Sequence, residues 1–241
     1  MLMKKFFLKT RTICIALVLV MSYIVVYYAA NKIDVTVPTS LPVNEDFYIV
    51  LDAGHGGMDG GCSSADGVTE KGINLAIMLE VRDICKLYGY NVEVTRDKDI
   101  SIYDKGVEGI RNQKVSDMDN RLELFNKHPN ALCISIHQNK FTDPKYSGAQ
   151  MFYSDTHPDN EKIAEIMKNK FVQNIQPDNK RETKPCGKEL FLCHYCQNPT
   201  LMIECGFLSN PDEAAKLNSP DYQKQVAFTI FSGINEYLTA E

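Results

Sequence analysis

The chain lacks the excess of basic charge that a nucleic-acid binder needs. Its 241 residues carry 26 Lys and Arg against 31 Asp and Glu, a formal charge of −5. Four of the basic residues, Lys4, Lys5, Lys9 and Arg11, precede an apolar run near the N-terminus; with them set aside 22 face 31, and the charge is −9. Such a domain is a poor partner for a polyanion. Internal repeats, low-complexity tracts and long runs of like charge are also missing, so the chemistry belongs to one compact domain. Cysteine occurs eight times but not as a complete disulfide framework: Cys14 lies in the apolar run and the other seven cannot all pair. Cys186, Cys193, His194 and Cys196 form a local cluster with a single C-x-x-C spacing, where a disulfide and a second metal site stay open.

One long apolar run is present. From Ile13 to Ala30 there are 18 residues whose only clearly polar member is Ser22. At a rise of ~1.5 Å per residue they span about 27 Å, close to the hydrocarbon thickness, and the basic flank places the N-terminus on the cytoplasmic side. A cleaved signal is the alternative, but Tyr27 and Tyr28 stand where an A-x-A site wants a small residue before Ala29-Ala30. The expected organisation is a membrane anchor over residues 1–31, a linker over 32–46 containing Pro38 and Pro42, and a catalytic domain over 47–241 outside the cytoplasm, with secretion after cleavage as the alternative. An apolar content of 44% with 24% charged residues suits an ordinary packed core.

Short runs rich in β-branched or aromatic residues predict strands near 47–53, 90–95, 131–136, 149–153, 189–192 and 200–203. Helical patterns fall between them. One is capped by Thr69 and stopped at Gly89; others cover 119–127, 159–174 and 221–238, the last with Val226, Ile230, Ile234 and Leu238 on one stripe. The fold class is α/β, a single domain with a central, mostly parallel twisted sheet of about six strands flanked by helices, preceded by the anchor.

Three strand-length apolar runs end in a side chain able to bind metal or move a proton: His55 after Tyr48–Leu51, His137 after Leu132–Ile136, and Glu204 after Leu201–Ile203. Parallel strands of an open sheet deliver their carboxyl ends to a common crevice. Two histidines and a carboxylate are common raw material for a catalytic zinc centre. His55 sits among glycines in Gly54-His55-Gly56-Gly57, where a turn histidine bonded to backbone is the alternative. Glu70, at the start of the helix after that turn, is the best-placed third ligand, although a helix dipole explains an acid there equally well. Glu204 holds an isolated carboxylate at the end of a buried strand, which is costly unless paired or functional. It suits a general base that takes a proton from water and returns it to a leaving amine.

These residues stand within Leu51-Asp52-Ala53-Gly54-His55-Gly56-Gly57, Glu70-Lys71, Thr95-Arg96-Asp97, Arg121, Ser135-Ile136-His137-Gln138-Asn139 and Glu204-Cys205-Gly206-Phe207-Leu208-Ser209-Asn210. The set resembles the zinc-dependent N-acetylmuramoyl-L-alanine amidases from Phe47 to Leu238. That resemblance implies one Zn2+ per domain, with His55, Glu70 and His137 as ligands, Glu204 as the catalytic glutamate and peptidoglycan as the substrate. Gln138 departs from the family, which usually has a small residue after the second histidine.

The segments Arg111–Lys114 and Lys145–Gln150, with the anchor, look like the germination-specific amidases of spore formers. This implies removal of stem peptides from spore cortex, which permits muramic-δ-lactam formation by a separate deacetylase. A zinc peptidase cutting within the stem and a non-catalytic peptidoglycan-binding scaffold are the alternatives. Arg96, Arg121 and Asn139 are candidate substrate contacts, the two arginines because each could grip a carboxylate in bidentate fashion, with a structural ion pair as the competing role. The 67 positions from His137 to Glu204 leave little room for an occluding insert, so control is expected from expression, location or an activating protein partner.

Overall fold

The computed structural model describes residues 20–22 and 47–240. Val20 to Ser22 are helical and exposed; the remainder of the expected anchor and all of the linker over 32–46 lie outside the described residues. Among the described residues, no helix is long and apolar enough to cross a membrane.

The domain runs β1 (Tyr48–Ala53), α1 (Glu70–Leu87), β2 (Asn91–Val94), α2 (Ile110–Asn126), β3 (Ala131–Asn139), β4 (Gln150–Tyr153), α3 (Asn160–Asn174), β5 (Lys184–Pro185), α4 (Phe191–Tyr195), β6 (Thr200–Phe207), α5 (Pro211–Leu217) and α6 (Pro220–Thr239). Its sheet has the order β2-β1-β3-β6-β4-β5. The first four strands are mutually parallel, β4 runs antiparallel to β6, and β5 is parallel to β4. It is a single α/β domain with a six-stranded sheet flanked by helices.

Side chains alternate across a strand, so each face has its own lining. Ile49, Leu51, Ile134, Ile136, Leu201, Ile203 and Met151 face one way and form the larger core with α1, α3 and α6. Val50, Ala131 and Cys133 face the other way and meet Phe125 of α2, Leu192 of α4 and Cys196. On this second face the register continues from Cys133 through Ser135 to His137, and His137 lies opposite Glu204. The cover ends before the strands do: Cys133 and Ser135 are buried, whereas His137 and Glu204 are only half-buried.

Two predicted elements differ. The strand expected at 189–192 is a helical turn, α4, and the fifth strand is the two-residue β5. A short apolar run such as Leu190-Phe191-Leu192-Cys193 satisfies either geometry, and burial of Leu192 and Cys193 against the sheet selects the helix. Helix α2 starts at Ile110 rather than near 119, because its only buried residues are Arg121 and Phe125 and no apolar stripe marks its beginning. Helix α5 is set by Asn210, whose side chain accepts from the Asp212 and Glu213 N–H groups ahead of a proline in the first turn.

Candidate active site

The turn leaving β1 carries His55 in left-handed backbone, φ 62°, which a non-glycine residue adopts only when its surroundings impose it. The imposing groups are side chains that take the loop's carbonyls. Arg96 donates to Ala53 O at 2.9 Å and Gly54 O at 3.0 Å. Arg121 donates to Ala53 O at 2.9 Å and His55 O at 2.7 Å, and Ser101 Oγ donates to Gly56 O at 2.7 Å. A Cβ on Gly54 would lie 2.2 Å from the His137 ring, so only glycine lets the second imidazole pack over the first turn. The two histidine rings stand edge to face at 5.0 Å.

Glu70, at the first position of α1, reaches between them. Its Oε1 is 3.3 Å from His55 Nε2 and 3.0 Å from His137 Nδ1. It is 3% exposed, and burial of its charge is compensated by donors: Gln138 N–H at 3.0 Å, Asn74 Nδ2 at 3.2 Å and, on Oε2, Cys62 N–H at 2.9 Å. His55 is oriented from behind by Asp59, 3.0 Å from Nδ1, which also accepts from Lys114 Nζ at 3.1 Å. One ligand atom from each of His55, Glu70 and His137 lies within 4.8 Å of the other two. Two imidazole nitrogens and a carboxylate oxygen at that spacing, with a carboxylate behind one imidazole, suit zinc.

In the metal-free protein the cluster behaves as a buried ion pair. Burial disfavours charge on His55, but its bond to Glu70, the Glu70 charge and then Asp59 raise its pKa to about 9. Burial likewise opposes ionisation of Glu70, and the two histidines overcome it, holding the carboxyl far below the ordinary range. A cation in place of those protons meets the same negative oxygen.

Glu204 differs from Glu70 in every respect that bears on proton transfer. It sits directly opposite His137 in the β3–β6 register, and its Oε2 is buried with no hydrogen-bond partner. Burial pushes its pKa up to about 7; His137 pulls it down and Glu70 adds to the rise. A carboxyl poised near neutrality and short of partners is equipped to exchange a proton.

Arg96 and Arg121 are internal ties: Arg121 makes the structural ion pair left open as its competing role, whereas Arg96 bonds backbone carbonyls. They are 2% and 1% exposed. Arg121 also pairs with Asp52 at 2.5 Å and Asp117 at 2.7 Å, and Asp52 receives Ser135 Oγ and Thr95 Oγ1. Asn139 stands at the open end of β3, its side chain lining a cavity beside Phe207. Gln138 points away from the crevice: its amide donates to Asn74 Oδ1 at 3.2 Å and so braces the residue that braces Glu70. All seven cysteines among the described residues are free thiols. Cys186, Cys193, His194 and Cys196 do not converge as a metal set, since among the described residues only His55, Glu70 and His137 do so. Sequence reasoning missed Asp59 and Asn74; each lies four residues after a ligand candidate, a spacing whose meaning appears only once the loop and helix are folded.

Residues 49–236 match the N-acetylmuramoyl-L-alanine amidase family Amidase_3. The chain is 36% identical over 212 residues to the germination-specific N-acetylmuramoyl-L-alanine amidase of Bacillus subtilis (strain 168), covering 88% of each sequence. Among solved structures it is similar to the CwlD amidase of Clostridioides difficile, determined in complex with the GerS lipoprotein, with a TM-score of 0.77, 35% identity, and coverage of 80% of this chain and 99% of that one. It is also similar to the amidase AmiC2 of Nostoc punctiforme, with a TM-score of 0.68, 27% identity, and coverage of 80% and 97%. Family and close relatives converge with the fold, and the chain belongs to the N-acetylmuramoyl-L-alanine amidases, enzymes of peptidoglycan.

Proposed function

We propose that the protein is a zinc amidase in which His55, Glu70 and His137 hold one metal ion and Glu204 is the catalytic base, and that it strips stem peptides from spore cortex. The observation that carries the site assignment is the convergence of the three ligand atoms within 4.8 Å, with Glu204 in register beside His137. Zinc bound there supplies Lewis acidity toward the amide carbonyl and a lowered pKa for water. Glu204 takes the proton released as water adds to the carbonyl carbon, and its unpartnered Oε2 can hold it. It then delivers that proton to the alanine nitrogen as the C–N bond breaks, because an amide nitrogen leaves poorly unless protonated. Asp59 keeps the His55 ring turned so that Nε2 faces the cluster. Asn139 contacts substrate at the mouth of the crevice.

The cortex role is supported by likeness to the germination-specific enzyme. We extend it to an anchor over 1–31, a linker over 32–46 and an extracytoplasmic catalytic domain over 47–241, with an activating protein partner in place of an internal plug. The similar Clostridioides difficile amidase in its complex with a lipoprotein supports the last point. Mass spectrometry of digested cortex-type peptidoglycan, with metal analysis of the same sample, tests the reading. Intact stem peptides beginning at L-alanine and one zinc per chain are expected. Fragments cut inside the stem would assign a peptidase, and no hydrolysis with undiminished binding a scaffold.

A further inference from the structure

The second face of the sheet continues beyond Glu204. Gln150 lies directly opposite Glu204 across the β6–β4 pair, Phe152 is two residues further along β4, and Lys184 lies opposite Phe152 on β5. Directly opposed residues share a face, so one floor runs from the carboxylate to the sheet edge. It ends in a cavity of about 260 Å³ walled by Phe141, Tyr146, Phe152 and Phe207, with Arg181 and Lys184. Two of these aromatics are not spent on a core, Phe141 and Tyr146 being 52% and 38% exposed, while Phe207 is buried behind them.

Arg181 is fixed in that cavity. Its Nε donates to Ser147 O at 2.8 Å and its Nη1 to Gln150 Oε1 at 3.2 Å, while the guanidinium lies 4.4 Å from the Phe207 ring centre and 5.7 Å from that of Tyr146. The nearby Glu213 carboxylate is occupied by the N–H groups of Gly148 and Phe207. The Lys184 ammonium has no hydrogen bond or ion pair among the described residues, although the residue lines the same cavity. A preset guanidinium and a free ammonium beside apolar walls suit an anion attached to a partly apolar chain.

We propose that this pocket binds a free carboxylate of the stem peptide on the leaving side of the scissile amide, with Lys184 as the residue that selects it. This rests on the stem-stripping reading, which makes the peptide the leaving group. Two strand spacings and two residues separate Glu204 from Lys184, roughly 12 Å between Cα atoms. A peptide advancing ~3.5 Å per residue covers that distance, shortened by the reach of the lysine, within two or three residues of the cut. Arg96 and Arg121 cannot serve instead, because their donors are taken by backbone and by Asp52 and Asp117.

The test uses two soluble muramoyl peptides that differ only in whether every carboxylate beyond L-alanine is free or amidated. Full-length zinc-loaded protein should favour the acid in kcat/KM by about tenfold, the scale of a charge-assisted hydrogen bond in a partly solvated site. Lys184→Gln should bring that ratio to near one, and Lys188→Gln, on the exposed turn before α4, should leave it at the wild-type value. Equal use of acid and amide by the wild type, or an unchanged ratio in Lys184→Gln, overturns the assignment and gives the pocket to the glycan. Calorimetric titration with the free stem peptides, acid and amide, separates the two layers. Lys184-dependent preference in binding without any hydrolysis would sink the stripping reading and keep the pocket, whereas hydrolysis with no preference does the reverse.

Discussion

The two halves of the sheet solve opposite problems. On the β2-β1-β3 side, most polar groups near the site are claimed, the buried Gln138 Oε1 excepted: the carbonyls of residues 53–56 by Arg96, Arg121 and Ser101, the Glu70 oxygens by three N–H donors, and Asp52 by Arg121, Ser135 and Thr95. On the β6-β4-β5 side, Glu204 Oε2 lacks a partner, and the Lys184 ammonium has none among the described residues. In the proposed function the first half holds the ligand atoms at fixed spacing, which is served by polar groups satisfied in advance. In the same reading the second engages water and substrate, which is served by polar groups left available.

The sharpest way to break this contrast is to alter one side alone. Glu204→Gln keeps the size and burial of the side chain but removes the proton acceptor. Hydrolysis should fall by about 10³-fold while zinc content, measured on the purified variant, stays at the wild-type level. Loss of zinc would show that Glu204 belongs to the ligand half. The converse change is Arg121→Met, which leaves Asp52 buried without its cation. Removing one partner of such a pair costs about 3–5 kcal/mol, to be read as a lower denaturation midpoint in urea. A stable variant would mean that the carbonyl ties, rather than the ion pair, hold the turn.

A smaller effect is expected from Asp59→Asn, which loosens the orientation of His55. Zinc affinity should drop by about 10- to 100-fold in competition with a chelator, and Glu204→Gln should show no such drop. The smallest effect is a pH trend in the metal-free domain. Burial raises the Glu204 pKa from 4.5 to about 7, so folding loses stability as pH rises through that window. The His55 pKa is raised from 6.5 to about 9 by Glu70 and Asp59 against the effect of burial, so its contribution is complete below 6.5 and is lost as pH passes 9. Thermal unfolding without metal should therefore show a falling midpoint from pH 5 to pH 9. Zinc should reverse the slope, because ligands must lose protons to bind it.

Much of the convergence of His55, Glu70 and His137 was legible in the chain. His55 and His137 follow apolar runs whose burial is nearly complete, and a lone polar residue after such a run is conspicuous. Glu70 was less so, since its own position offers a helix-dipole explanation and its two imidazole partners are brought from distant strands. Arg96 and Arg121 show the limit of reading side chains singly. Each has the chemistry to bind a carboxylate, and only the fold reveals that both are buried with four hydrogen bonds apiece to internal acceptors. Helix α4 and strand β5 were misplaced because both are too short for a period to declare itself.

By itself the sequence determined the local terms: which stretches alternate or run apolar, where chains must turn, and which residue types of metal and proton chemistry stand at the strand ends. Those depend on near neighbours along the chain, so the order of residues carries them. Tertiary structure alone decided that β4 runs backwards beside β6, that Glu70 lies between two histidines, and that Lys184 shares a face with Glu204 while Arg181 is tied to Gln150 beside it. Those depend on strand register and on how polar groups divide their partners in space, and a shift of one residue in either would send the same side chains to the opposite face.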